Sequence, residues 1–106
     1  MTTATQFKVA PHSKESEMMV LGCMLTSQNS LNIAADELDE NAFYFTEHKT
    51  IFNTLKSLHR NGKPSDLHLV CEELKDRDKL KDCGGIAYVA TLAQYAGTSA
   101  YIRLLA

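Results

Sequence analysis

Apolar and polar positions along this 106-residue chain recur with helical rather than strand periodicity. Met18, Leu21 and Leu25 define a first stripe, and Val20, Cys23 and Met24 widen it, which predicts a largely buried helix. Ser13 is its expected N-cap, and Glu15 and Glu17 lie in the first turn, where the helix dipole favours negative charge. Gly22 inside that helix costs about 1 kcal/mol relative to alanine. The expected return is close approach of a neighbouring helix. Ser27-Gln28-Asn29-Ser30 is a polar break, after which Ser30 is expected to cap a short helix running to Leu38. Asp36, Glu37, Asp39 and Glu40 crowd its C-terminal end, where the dipole disfavours them, so an early end is expected.

Ala42-Phe43-Tyr44-Phe45 is an aromatic patch between helices. It has the look of a short strand, but no nearby segment offers a pairing partner. Phe43 suits the core better than Tyr44 and Phe45 do. Thr46 is the expected cap of the clearest helix, with Ile51, Phe52, Leu55 and Leu58 on its apolar face. Lys49, Lys56 and Arg60 fall close to one line on the opposite side. Asn61-Gly62 stops this helix, with Gly62 suited to a left-handed cap and Pro64 preventing resumption. Asp66 should cap the next helix, whose apolar positions are Leu67, Val70, Cys71 and Leu74. The mixed-charge run Lys75–Lys79 reads as solvated, Leu80 as the anchor of a turn, and Gly84-Gly85 as a break. Ile86, Val89, Leu92, Ala93 and Ala96 make a further stripe that Gly97 closes.

These patterns predict an all-α fold, a small compact bundle of five or six short helices. Residues 1–10 lack periodicity and are expected to be a disordered tail, and residues 11–97 form the helical domain. Thr98–Ala106 brings Ile102, Leu104 and Leu105 with no polar stop, as if the chain were cut from a longer protein.

Composition is that of an ordinary globular domain, 44% hydrophobic and 23% charged. The formal net charge of −2 argues against a dedicated duplex-DNA binder, which carries a basic excess, though not against a local basic face. No signal peptide is evident and no apolar run approaches the ~20 residues of a membrane span. Cys23, Cys71 and Cys83 are odd in number and widely spaced, which fits reduced thiols in a cytoplasmic protein better than a disulfide framework.

Catalytic chemistry finds no constellation. Gly62-Lys63-Pro64 is a turn rather than a phosphate-binding loop, Gly84-Gly85 is not a dinucleotide motif, and neither H-E-x-x-H nor a nucleophile elbow occurs. His68 and Cys71, three apart, offer two metal ligands, but Cys71 belongs to an apolar stripe and no second pair follows. No catalytic, cofactor or metal site is therefore expected. His48 and His59 flank the apolar face of the third helix, each expected to pack its ring and expose one nitrogen. Lys49, Lys56, Arg60 and Lys63 read either as a solvated face or as a contact for single-stranded nucleic acid or an acidic partner. Tyr44 and Phe45, with Ile102, Leu104 and Leu105, are the candidate protein-interaction residues.

The order of local signatures adds a resemblance. Pro11-His12-Ser13-Lys14-Glu15-Ser16-Glu17 followed by Val20-Leu21-Gly22 resembles the PHS-x-EAE-x-x-VLG opening of DnaB-family replicative helicases. Phe43-Tyr44, His48 and Ile51-Phe52 are similar to that family's DFY-x-x-x-H-x-x-IF segment, with Ala42 where the acid usually stands. Gly62-Lys63-Pro64-Ser65-Asp66-Leu67 resembles its G-x-PID-L turn, with Ser65 in place of isoleucine. Leu80 and Gly84-Gly85-Ile86-Ala87-Tyr88-Val89-Ala90-Thr91-Leu92 resemble its L-x-x-x-GG-x-AYL-x-x-L stretch. These segments cover about residues 11–96.

The resemblance implies the N-terminal domain of a replicative DNA helicase: a helical head, then a helical hairpin, a linker and an ATPase motor that takes ATP and Mg. It implies that hairpins pair the domains into dimers, that three dimers make a collar on the hexamer, and that the collar recruits primase. After Gly97 the chain departs from the family pattern, and residues 98–106 correspond at most to the start of the first hairpin helix.

Overall fold

The computed structural model describes residues 14–64 and 66–94. Among them are five α-helices and two short 3-10 turns, and no strand. Helix α1 spans Lys14–Thr26, α2 Gln28–Glu37, α3 Thr46–Arg60, α4 Leu67–Asp76 and α5 Gly85–Gln94. The 3-10 turns are Glu40–Ala42, before α3, and Lys81–Cys83, before α5. The expected tail at 1–10, the Ser13 cap, Ala96 and Gly97 lie outside the described residues, as does the hairpin start at 98–106 with Ile102, Leu104 and Leu105.

Helix α1 packs against α2, α3 and α5, and α4 closes the other side on α3 and α5. The whole run Val20–Leu25 of α1 is buried, Gly22 included, so this helix is apolar nearly all round because it has neighbours nearly all round. The core joins these residues to Leu31, Phe43, Ile51, Phe52, Leu55, Leu58, Val70, Leu74, Val89 and Leu92. Phe43 meets Phe52 with ring centroids 5.0 Å apart. All three cysteines are free and buried, as small hydrophobes in a core are.

The helix ends explain much of the chain's punctuation. At the end of α3, Gly62 takes φ +73°, its N–H bonds His59 O at 3.0 Å, and the Lys63 N–H reaches Leu58 O at 2.9 Å. That pair of bonds is a Schellman motif, which satisfies two of the carbonyls a helix end leaves open. The end of α4 repeats it with Asp78 at φ +58°, where Lys79 N–H meets Leu74 O at 2.8 Å. Asp66 caps α4 as expected, its Oδ1 accepting from the Leu69 N–H at 2.9 Å.

Several expectations are corrected. Ser27, not Ser30, caps α2, its hydroxyl accepting from the Ser30 N–H at 3.2 Å, and Ser30 is buried inside the helix. Helix α2 also runs on to Glu37 despite its acidic end. Lys56 supplies the missing cation, its Nζ donating to Leu38 O at 3.3 Å. Phe45 rather than Thr46 occupies the N-cap of α3, and no side chain caps it. Ile86 stands 59% exposed instead of joining the stripe of Val89 and Leu92.

Candidate functional site

His48 continues the stripe of Ile51, Phe52 and Leu55 one turn earlier, so the fold carries it inward with them. Its ring is fully buried, which corrects the expectation of a boundary histidine with one nitrogen in water. Glu17 sits on α1 at the same spacing ahead of Val20, Leu21 and Met24, and is likewise buried. The two meet: His48 Nδ1 lies 2.7 Å from Glu17 Oε1. On the other side, His48 Nε2 lies 2.6 Å from the Tyr88 hydroxyl on α5. The second carboxylate oxygen of Glu17 accepts from the Tyr44 N–H at 2.8 Å.

One neutral tautomer of His48 satisfies every atom of the row. With Glu17 as carboxylate, Nδ1–H donates to it, and Nε2 accepts from the Tyr88 O–H. No buried side-chain nitrogen or oxygen among the described residues is left without a partner. A buried charge is expensive, and this arrangement offsets the cost with three hydrogen bonds from three segments of chain. Glycine enters here as well. Gly84, at φ +95°, lies so close to Tyr88 that an added Cβ would stand 2.6 Å from the tyrosine Cβ.

Carboxylate, imidazole and hydroxyl in a row resemble the order of a nucleophile triad. Here the imidazole has no solvent access and both its nitrogens are committed, so the row acts as a brace between α1, α3, α5 and the segment before α3. Its outer edge is aromatic. Tyr44 is 58% exposed and meets Phe45 edge-on at 5.2 Å, while Phe45 meets the His48 ring at 5.7 Å. Lys14 Nζ lies 5.7 Å from the centroids of both Phe45 and Tyr88, within cation–π reach.

The basic line of α3 is only partly available. Lys56 is held by Leu38 O and lies over the Phe52 ring at 5.8 Å. Arg60 and Lys63 are exposed and Lys49 is half-buried. Lys56, His59 and Arg60 line one shallow depression with Ala35 and Asp36, and His59 and Lys63 border another with Gln28 and Pro64. His68 pairs with Glu72 at 3.0 Å on the outer face of α4, whereas Cys71 is buried, so the two do not converge. No group of three or more His, Cys, Asp or Glu among the described residues is placed to hold a metal ion. Burial pushes the Cys71 thiol up; Cys83 rises by burial first and then by the charges of Asp82 and Glu47, against the pull of Lys79.

The brace accounts physically for three of the four signature segments. Glu17 comes from the first, the Tyr44 amide and His48 from the second, and Gly84 and Tyr88 from the last, each helping to close the same buried array. Residues 9–106 match the family described as the DnaB-like helicase N terminal domain. The chain belongs to that family. It is 33% identical over 106 residues to the replicative DNA helicase DnaC of Bacillus subtilis, covering 100% of this chain and 23% of that protein. It is 34% identical over 96 residues to the replicative DNA helicase DnaB of Treponema pallidum, covering 91% and 22%. To the Pasteurella multocida DnaB it is 38% identical over 86 residues, covering 81% and 18%. The chain thus spans about a fifth of the length of these curated relatives. The crystal structure of the N-terminal domain of DnaB helicase from Mycobacterium tuberculosis superposes with a TM-score of 0.78 at 28% identity, over 92% of this chain and 71% of that one. The all-helical DnaB N-terminal domain fold is the fold of this chain. No helix among the described residues is long and apolar enough to cross a membrane.

Proposed function

We propose that this chain is the non-catalytic assembly head of a replicative DNA helicase. In this reading it supports the collar of the hexameric ring by self-association, as dimers and a trimer of dimers, and recruits primase to the fork. The ATPase chemistry, with its ATP and Mg, belongs to a motor domain elsewhere in the parent, and the site of action is the cytoplasm. One observation carries the reading: Glu17, His48 and Tyr88 of the signature segments are spent on one another in the brace. A catalytic centre would need such groups open to substrate. What the brace holds outward is an aromatic edge, Tyr44 and Phe45, of the residue type that dominates protein interfaces.

Comparison of the complete parent helicase with a version lacking residues 14–94 tests this. Without the head, primase binding falls by tenfold or more and hexamers give way to smaller species in mass photometry. Unchanged primase affinity and unchanged hexamers would overturn the proposal. The alternative of single-strand contact through Lys49, Lys56, Arg60 and Lys63 is weaker, because Lys56 is already occupied by Leu38 O and the Phe52 ring.

A further inference from the structure

Asn61 and Gly62 end α3 in an exposed turn. An asparagine side chain is open to attack at its own Cγ by the backbone nitrogen of the next residue. A following glycine leaves that approach unhindered, because it has no Cβ and its backbone turns freely. Asn29, Asn32, Asn41 and Asn53 precede Ser30, Ile33, Ala42 and Thr54, whose side chains crowd the attack, and each lies within a helix or 3-10 turn. At Gly62 no atom comes within 4 Å of the place a Cβ would take, so that side of the turn is open. The fold nevertheless opposes the reaction. The attacking atom is the Gly62 nitrogen once it has lost its proton, and here its N–H is bonded to His59 O at 3.0 Å. The Lys63 N–H fixes the following peptide on Leu58 O at 2.9 Å. Asn61 is held at φ −88° and ψ 7°, with its own N–H on Ser57 O at 3.0 Å. Attack therefore requires the last turn of α3 to open, as helix ends do by local unfolding.

We propose that Asn61 is a site of spontaneous modification, sheltered by the Schellman motif at the end of α3 and released when that turn opens. Water is the one co-reactant. The Gly62 nitrogen gives its proton to solvent and bonds to Asn61 Cγ, the Cγ–Nδ2 bond breaks, and ammonia leaves after taking up a proton, which gives a succinimide. Water then adds at either imide carbonyl and breaks its bond to nitrogen, returning aspartate or isoaspartate. Either product sets a carboxylate between Arg60 and Lys63 at a helix C-terminus, where the dipole disfavours it. Isoaspartate also adds a methylene to the main chain, which moves Gly62 and Lys63 out of register with His59 O and Leu58 O. The modified end therefore holds α3 less firmly than the original one.

The test compares the folded 106-residue chain with a synthetic peptide of residues 57–66, which is too short to hold a helix in water. Both are kept in the same mildly alkaline buffer, and conversion at Asn61 is followed by peptide mapping with mass spectrometry, with aspartate and isoaspartate separated by chromatography. The peptide is expected to convert, and the folded chain to convert about tenfold more slowly or less, because each attack waits for local opening. A peptide carrying Gly62→Ala is expected to convert about tenfold more slowly than the parent peptide, since the added Cβ hinders the nitrogen. In urea the unfolded chain should lose the shelter and convert first at Asn61, ahead of Asn29, Asn32, Asn41 and Asn53. Equal rates in the folded chain and the peptide would overturn the sheltering role of the turn. A peptide that does not convert, or an unfolded chain that converts first at another asparagine, would overturn the site itself.

Discussion

Glu17 and His48, 31 residues apart in sequence, meet in the interior at 2.7 Å, both essentially without solvent access. Removing one partner of such a pair leaves the other charged or polar group buried alone, which costs about 3–5 kcal/mol. Glu17→Ala is therefore expected to destabilise the domain by that amount, since it strands both His48 Nδ1–H and the Tyr44 N–H. Glu17→Gln, whose amide oxygen still accepts one of the two, loses less. Urea denaturation of the three chains checks the order wild type, Gln, Ala.

At the other end of the brace, Tyr88→Phe leaves His48 Nε2 buried without a donor. A cost of about 1–3 kcal/mol is expected, with little change in the slope of the denaturation curve. A loss within error would show that water replaces the hydroxyl.

Gly84 and Gly62 make a controlled pair. Both have positive φ, so alanine at either carries the left-handed penalty of about 1–2 kcal/mol. Nothing lies within 4 Å of a Cβ at Gly62, whereas at Gly84 the Cβ would stand 2.6 Å from that of Tyr88. Gly84→Ala is expected to add about 1–3 kcal/mol for overpacking to the backbone penalty. Equal losses at the two positions would contradict the packing described for Tyr88.

The thiols give a pH dependence of known sign. Cys71 and Cys83 are held above the ordinary thiol value of 9.0 in the fold. The unfolded chain therefore loses these protons first, and stability that is fully present below about pH 9 falls as pH rises through the folded values. The measurement is the difference in unfolding free energy between wild type and a Cys71→Ala, Cys83→Ala double variant across pH 7.5–10. The wild-type excess should shrink with pH, and an excess that grows would reverse the assignment.

Much of this fold is legible in the sequence. The stripes of α1, α3 and α4, the Asp66 cap and the Gly62 stop follow from periodicity and local backbone chemistry. The rest depends on contacts between distant segments. Helix α2 keeps its acidic end because Lys56, 18 residues on from Leu38, supplies a cation there. Ile86 lies outside because the stripe of α5 is narrower than its apolar composition suggests. The brace left a readable trace: Glu17 and His48 are polar residues at i, i+3, i+4, i+7 spacing with apolar neighbours, and two such interruptions in one small core are natural partners. Tyr88 carried no such mark, since a tyrosine beside a core is common. The expected contacts through Ile102, Leu104 and Leu105 lie outside the described residues.

The central claim, that this head assembles rather than catalyses, is tested most directly by sedimentation velocity on two chains. One is the 106-residue chain, and the other a longer chain that carries the family's helical hairpin. The account predicts a monomer with weak self-association for the first and a clear dimer for the second at the same micromolar concentration. Monomers in both cases would contradict it.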